Sequence, residues 1–170
     1  AASYPTLYPN GFLPEMSSTV SDVSIATGIK GKIFENWNFD LSNTYGKNTF
    51  DFHIQNTLNA SMRENSPKEF EAGGFGFYQN TTNFDMNKKY DVLKGLNVAF
   101  GAEYRIENYN IDGGQPESYR LYDINGNTIT GTVAENTMVT DFYGRIRNGG
   151  SQVFAGFRPS NVVSKGRNSM

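Results

Sequence analysis

Between Gly95 and Glu107 the chain reads GLNVAFGAEYRIE, and two chemistries alternate there residue by residue. Leu96, Val98, Phe100, Ala102, Tyr104 and Ile106 make one face, while Asn97, Ala99, Gly101, Glu103, Arg105 and Glu107 make the other. That is the period of a β-strand. Its length is the constraint, because the alternation runs about 12 residues where a typical strand has about 5–6. A tilted strand that crosses a bilayer needs roughly 9–11. Glu103, Arg105 and Glu107 put three charges on one face and the opposite face carries none, which is the pattern of a wall with lipid on one side and a wet lumen on the other.

The same alternation recurs upstream. Val23, Ile25, Thr27, Ile29 and Ile33 oppose Ser24, Ala26, Gly28, Lys30 and Lys32, and after a short break at Phe34-Glu35-Asn36 the residues Trp37, Phe39, Leu41 and Tyr45 oppose Asn38, Asp40, Ser42, Thr44 and Gly46. This predicts an antiparallel hairpin with a tight end near Glu35 and Asn36. Past Tyr45 the phase slips, since Phe50, Phe52 and Ile54 are even-numbered, and a bulge or emergence from the membrane band accounts for such a slip. A weaker strand follows at Phe75–Met86, for which Tyr78, Thr82, Phe84 and Met86 are assigned to the apolar face. A second short turn is expected over about Asn87 to Lys94.

The expected architecture is therefore all-β: an antiparallel transmembrane β-barrel segment of about four long strands, at about 22–34, 37–52, 75–86 and 95–111, and not a closed barrel by itself. Loops are expected at about 1–20, 53–74 and 112–170, the first of them an ordered connection punctuated by Tyr4, Tyr8, Phe12 and Leu13. Within the last, Tyr119–Tyr122 and Thr128–Val133 are expected to pair across Asp123-Ile124-Asn125-Gly126-Asn127, with Asn-Gly at the turn. The short turns fall at one end of the strands and the long loops at the other, as in outer-membrane barrels.

Composition removes several function classes. The net charge of −2 gives no footprint for nucleic acid. The chain has no cysteine, which excludes thiolate metal sites, and its single histidine, His53, argues against a histidine metal cluster or a Ser-His-Asp triad. No nucleophile-base pair stands out, and the expectation is a protein that is not an enzyme, with no metal site and no cofactor. No apolar run approaches the about 18 residues of a transmembrane helix, a criterion that leaves barrels untouched. The amino end AASYPTLYPNG lacks the basic and apolar regions of a signal peptide.

Three stretches together bear a likeness to a known family: YPNGFLPEM at 8–16, GIKGKIFENWNFDLSNTYGKNTFDFHIQNTLNAS at 28–61, and AGGFGFYQNTTNFDM at 72–86 followed by GLNVAFGAEYRIENY at 95–109. A fourth, VFAGFRPSNVVSKGRNS at 153–169, looks like the loop that leads into a further strand. In this the chain resembles an internal segment of the β-barrel of TonB-dependent outer-membrane receptors of Bacteroidetes-type bacteria. The resemblance implies a barrel of about 22 strands around a plug, seated in the bacterial outer membrane. It also implies uptake of a scarce nutrient, a siderophore, cobalamin, glycan or peptide, with energy from the TonB complex. The implied partners are the remainder of the barrel and its plug, the TonB complex acting through that plug, outer-membrane lipid and the nutrient itself, but no nucleic acid. No plug is expected within 1–170, and four strands do not close a lumen, since even the smallest such barrels have about eight. The competing expectation is a soluble all-β glycan-binding or adhesin-like module.

Two sets of residues are candidates for ligand contact. The lumen-facing charges are Lys30, Lys32, Asp40, Glu103, Arg105 and Glu107, whose plain alternative is a ladder of cross-strand ion pairs. The loop aromatics are Tyr119, Tyr122, Phe142, Tyr143 and Phe157, with Tyr109 and Phe154 beside them, which can stack on a sugar or a catecholate or pack the loops together. Asp123, Asn125 and Asn127 mimic the start of a calcium loop, but Ala134 stands where the bidentate glutamate belongs, so a polar turn is expected. His53 reads as a rim residue. Asn59-Ala60-Ser61 and Asn80-Thr81-Thr82 match glycosylation acceptors, read as coincidence. Arg145, Arg147, Arg158, Lys165 and Arg167 give the last third a basic bias.

Overall fold

Five strands lie in one open antiparallel sheet in the order of the sequence: β1 (Glu15–Ile33), β2 (Trp37–Gln55), β3 (Phe70–Tyr90), β4 (Leu96–Gly113) and β5 (Val163–Ser169). The computed structural model describes residues 4–34, 36–92, 94–132 and 134–170. Glu35, at the tight turn expected after β1, and Val133, at the end of the expected loop hairpin, lie outside the described residues. The chain forms two compact units, one of Ala1–Val20, Phe50–Phe75 and Ile111–Val163, the other of Ser21–Thr49, Gly76–Asn110 and Ser164–Met170.

The second unit is sheet alone, and its register can be read from side chains. Asn48 donates to Asp22 at 2.6 Å and a Cβ on Gly28 would meet Ser42, which fixes β1 against β2. Asn38 reaches Asn87, and Asn43 reaches both Asn80 and Thr82 at 2.9 Å, which fixes β2 against β3. A Cβ on Gly101 would strike the Asp85 carboxylate, which fixes β3 against β4, and Arg167 on Glu107 adds β5.

In this register the odd positions of β1 and β2 and the even positions of β3 and β4 share one face. It gathers Ile29, Leu41, Phe84 and Ala102 in one row, with Trp37 in ring contact with both Tyr90 and Phe100 toward the short turns. Tyr45 and Tyr78, at 6.3 Å, lie toward the other end. The assignment of Tyr78, Thr82, Phe84 and Met86 to the apolar face thus agrees with the pairing. Ile29 is 64% exposed and Phe100 54%.

The first unit holds the buried core. Ile54, Phe70 and Ala72 are its centre, with Phe52 and Phe154 packed against them. Phe50 stacks flat on Phe75 at 5.2 Å, and Phe52 touches Phe75, Phe154 and Phe157. The phase slip in β2 therefore needs no bulge: Ser17 bonded to the His53 carbonyl keeps the same β1–β2 register as Asp22 and Asn48. The even positions Phe50, Phe52 and Ile54 turn apolar because loop residues cover them. The bulge lies in β3 instead, at Gly73, where φ is +82° and a Cβ would collide with the backbone at Asp112–Gly114. It brings Phe70 and Ala72 to the side of Phe75.

Three expectations of extent are corrected. A fifth strand exists where only loop was expected, β1 begins already at Glu15, and the expected loop 53–74 narrows to 56–69 and carries a 3-10 helix at Ala60–Asn65. The amino-terminal segment is pinned as expected, since Tyr4 donates to the Ala60 carbonyl and Tyr8 to that of Thr57.

Candidate functional site

The six charges expected to face a lumen fall into two clusters within the sheet unit. Around β4, Arg105 bonds Glu103 at 2.7 Å and lies 3.9 Å from Glu107, and Arg167 grips Glu107 through two nitrogens at 2.8 and 3.1 Å. Two guanidiniums thus neutralise two carboxylates along adjoining strands. Arg167 is one of the basic residues of the last third, and its place in this ladder depends on β5. Near the short turn, Lys30, Lys32 and Asp40 line a shallow depression of about 370 Å³ with Asn38 and Asn87. This second cluster is the more open to a ligand, because the first is occupied by its own ion pairs.

The loop aromatics divide in a similar way. Tyr122 is buried, its backbone N–H donates to Ser61 Oγ, and burial pushes its phenol above the ordinary range, helped by Glu117. Phe157 packs on Phe52 and Phe154, and its N–H donates to the Ala72 carbonyl. Tyr119 lies under the Arg120 guanidinium. Phe142 and Tyr143 are on display, 96% and 77% exposed, in an edge-to-face pair.

That pair sits on one of two turns built alike, at Asp123-Ile124-Asn125-Gly126 and Asp141-Phe142-Tyr143-Gly144. In each, the aspartate Oδ1 accepts two backbone N–H groups, from Asn125 and Asn127 in the first and from Tyr143 and Arg145 in the second. Each glycine takes positive φ, and each turn is closed by a bridge, Tyr122 with Thr128 and Thr140 with Ile146. Of the expected pairing around Asp123 only the end next to the turn is found, with Tyr122 bridged to Thr128 and the Ile129 N–H on the Leu121 carbonyl, while Tyr119 lies in a turn of helix; Asp123 caps its own turn. The second copy was missed, although the Asp-x-x-Gly spacing is legible in TDFYGRI beside YDINGNT.

The N–H groups of Arg145 and Tyr143, and the Arg145 guanidinium, hold the Asp141 carboxyl below its ordinary value; Asn127 does the same first for Asp123. A lowered folded value means the turn's stabilisation is complete above the unfolded value of 3.8 and is lost as pH falls through the folded one. Amide shifts of Tyr143, Arg145 and Asn127 followed by NMR on acidification are expected to move with midpoints below 3.8. A midpoint at or above that value would contradict the capping.

No protein-family model, characterised protein or solved structure matches this chain. Among the described residues no group of three or more His, Asp or Glu is arranged to hold a metal ion. His53 contacts Glu71 at 3.0 Å and Glu69 at 3.9 Å on the exposed side of the loop unit. Asn59 is fully buried and Asn80 is bonded to Asn43, so neither amide is presented as a glycosylation acceptor.

Proposed function

We propose that the chain is a segment of the wall and outer loops of an outer-membrane TonB-dependent receptor, which takes up a scarce nutrient with energy delivered by the TonB complex. The observation that carries the reading is the two-faced sheet. One face aligns Ile29, Leu41, Phe84 and Ala102 across four strands with aromatic rings toward both ends, while the other carries Lys30, Asp40, Glu103, Arg105 and Glu107. In a water-soluble sandwich such an apolar face would be covered by a second sheet. Among the described residues it is uncovered, and the sheet ends in open edges at β1 and β5. Aromatic belts, an apolar band between them and a polar inner face are what a bilayer-crossing wall requires. No described helix is long and apolar enough to span a membrane, so crossing falls to the strands.

In this reading the depression lined by Lys30, Lys32 and Asp40 faces plug or cargo, and Phe142 and Tyr143 face the outside. Intact cells of the bacterium that makes the protein are expected to bind an antibody raised against the 139–147 hairpin, with the protein recovered in the outer-membrane fraction. Recovery in a soluble fraction, with no labelling of intact cells, would favour the soluble glycan-binding alternative.

A further inference from the structure

Gly46 lies in the middle of β2 with no conformational or packing reason of its own. Its φ is outside the left-handed region, and a Cβ at this position would meet nothing within 4 Å. Every other glycine of the five strands would bring a Cβ to 3.5 Å or closer from the chain's own atoms. A glycine inside a strand forfeits side-chain packing and loses more freedom on folding than any other residue, and it often marks a place where a ligand or another backbone comes close.

The space beside it is a hollow of about 440 Å³ within the sheet unit. This lies in the range of about 300–1,000 Å³ in which small organic ligands are held. The register places Ser24 and Gln79 on either side of Gly46, and Asp22, Asn48 and Phe77 in the adjoining row, all on the polar face and all in the wall of the hollow.

Phe77 is out of keeping with that face. It is 40% exposed, and among the described residues its ring contacts no other ring. The polar groups near it are only partly used. Asn48 donates to Asp22 Oδ1 at 2.6 Å and Gln79 to Thr81 Oγ1 at 3.0 Å, which leaves Asp22 Oδ2 and Gln79 Oε1 to accept and a second N–H of each amide to donate. The Ser24 and Thr44 hydroxyls, also in the wall, make no hydrogen bond among the described residues. Lys47 borders the hollow, but as an odd-numbered residue of β2 it projects to the opposite face, and the Asp22 carboxylate opposes an anion. Mixed donors and acceptors around one apolar ring match a neutral polyhydroxylated ring, whose hydroxyls both donate and accept and whose C–H face lies on an aromatic.

We propose that the hollow beside Gly46 is a subsite for a neutral sugar ring, a pyranose by chemical class, with Phe77 as the stacking face and Asp22, Asn48 and Gln79 as partners of its hydroxyls. Gly46 keeps the floor open for the ring. In making a glycan the cargo, the proposal rests on the receptor reading. The two fail separately: a protein absent from the outer membrane would lose the uptake and keep the binding, and a chain that binds no sugar would leave the receptor with another cargo.

Saturation-transfer NMR on the full chain, held in a zwitterionic detergent without a sugar headgroup, tests it. The probes are the methyl pyranosides of glucose, galactose and mannose, with glucuronate, galacturonate and trialanine beside them. At least one of the three pyranosides is expected to bind, and more tightly than either uronate or the peptide. Gly46→Val introduces a residue that suits a strand and whose Cβ meets no atom, so it spares the fold while filling the hollow, and it is expected to weaken that sugar by about tenfold or more. Phe77→Leu keeps the apolar volume but removes the stacking face, and a loss of about tenfold is expected again. Lys165→Gln, on β5, is expected to change nothing. No binding of any of the three pyranosides, or unaltered affinity in either Gly46→Val or Phe77→Leu, would overturn the proposal. A uronate bound as tightly as the best pyranoside would overturn the neutral assignment, and a peptide bound more tightly would give the hollow to a polypeptide instead.

Discussion

Leu41→Arg is expected to destabilise the bilayer-inserted protein by about 2–4 kcal/mol, whereas Leu96→Arg is expected to cost only about 0–1 kcal/mol. Both leucines lie on the apolar face and both are partly exposed, at 40% and 43%. What separates them is depth. The register sets Leu41 in a row with Ile29, Phe84 and Ala102, between the Trp37–Tyr90 rings on one side and the Tyr45–Tyr78 rings on the other. Leu96 is the first residue of β4, next to the turn where Gly95 takes positive φ. If the ring belts mark the two interfaces, an arginine at Leu41 must bring its charge into hydrocarbon, and one at Leu96 reaches headgroups and water. Were the face wetted instead, both substitutions would be ordinary surface changes within about 0.5 kcal/mol of neutral. Urea titration of the protein folded into lipid vesicles measures both, and equal small effects at the two positions would remove the membrane orientation.

The parts of the fold that were legible in the sequence are those where a side-chain pattern follows from one environment on each face. Four strands and the apolar side of β3 came from alternation alone, because a sheet with two unlike faces constrains every second residue over many residues. The fifth strand had no such signal. Val163–Ser169 reads VSKGRNS, nearly all polar, and its place beside β4 is shown by contacts such as Asn108 to Ser164 and Arg167 to Glu107.

The slip after Tyr45 was legible as an anomaly but not in its cause. Loop residues some hundred positions downstream, Phe154 and Phe157, cover Phe52, and no local pattern announces that. Among the candidate site residues, chemistry type was readable and availability was not. Tyr122 and Phe142 look equivalent as loop aromatics, yet one is 7% and the other 96% exposed. Tyr122 precedes its turn and is held inward by its N–H on Ser61 Oγ, whereas Phe142 lies within its turn.

The loops themselves depend on one side chain. Asn59→Ala is expected to remove about 3 kcal/mol or more of their stability. Asn59 is fully buried, and its amide Nδ2 donates to the carbonyls of both Glu117 and Arg120, each at 2.8 Å. Its Oδ1 accepts from the Ser61 N–H and, at 2.7 Å, from the Ser61 hydroxyl. That hydroxyl in turn accepts the Tyr122 N–H. One amide therefore ties the 3-10 helix at Ala60–Asn65 to the turn of helix at Pro116–Tyr119 and to the start of the first hairpin. Truncation strands two carbonyls, one N–H and one hydroxyl in a buried site, each at about 1–3 kcal/mol, and relaxation of the loops recovers only a part of that. Asn59→Asp separates this account from simple loss of volume. The aspartate keeps the acceptor for Ser61 but turns a charged oxygen toward two carbonyls, so its damage is expected to exceed that of alanine at neutral pH and to ease once acid protonates it and restores a donor. Protease cleavage at Arg120, Arg145 and Arg147 in the detergent-held chain reads the loosening. Cleavage no faster than in the unsubstituted protein, or an aspartate variant indifferent to acid, would show that the loops are held by their apolar core of Ile54, Phe70 and Ala72 and not by this amide.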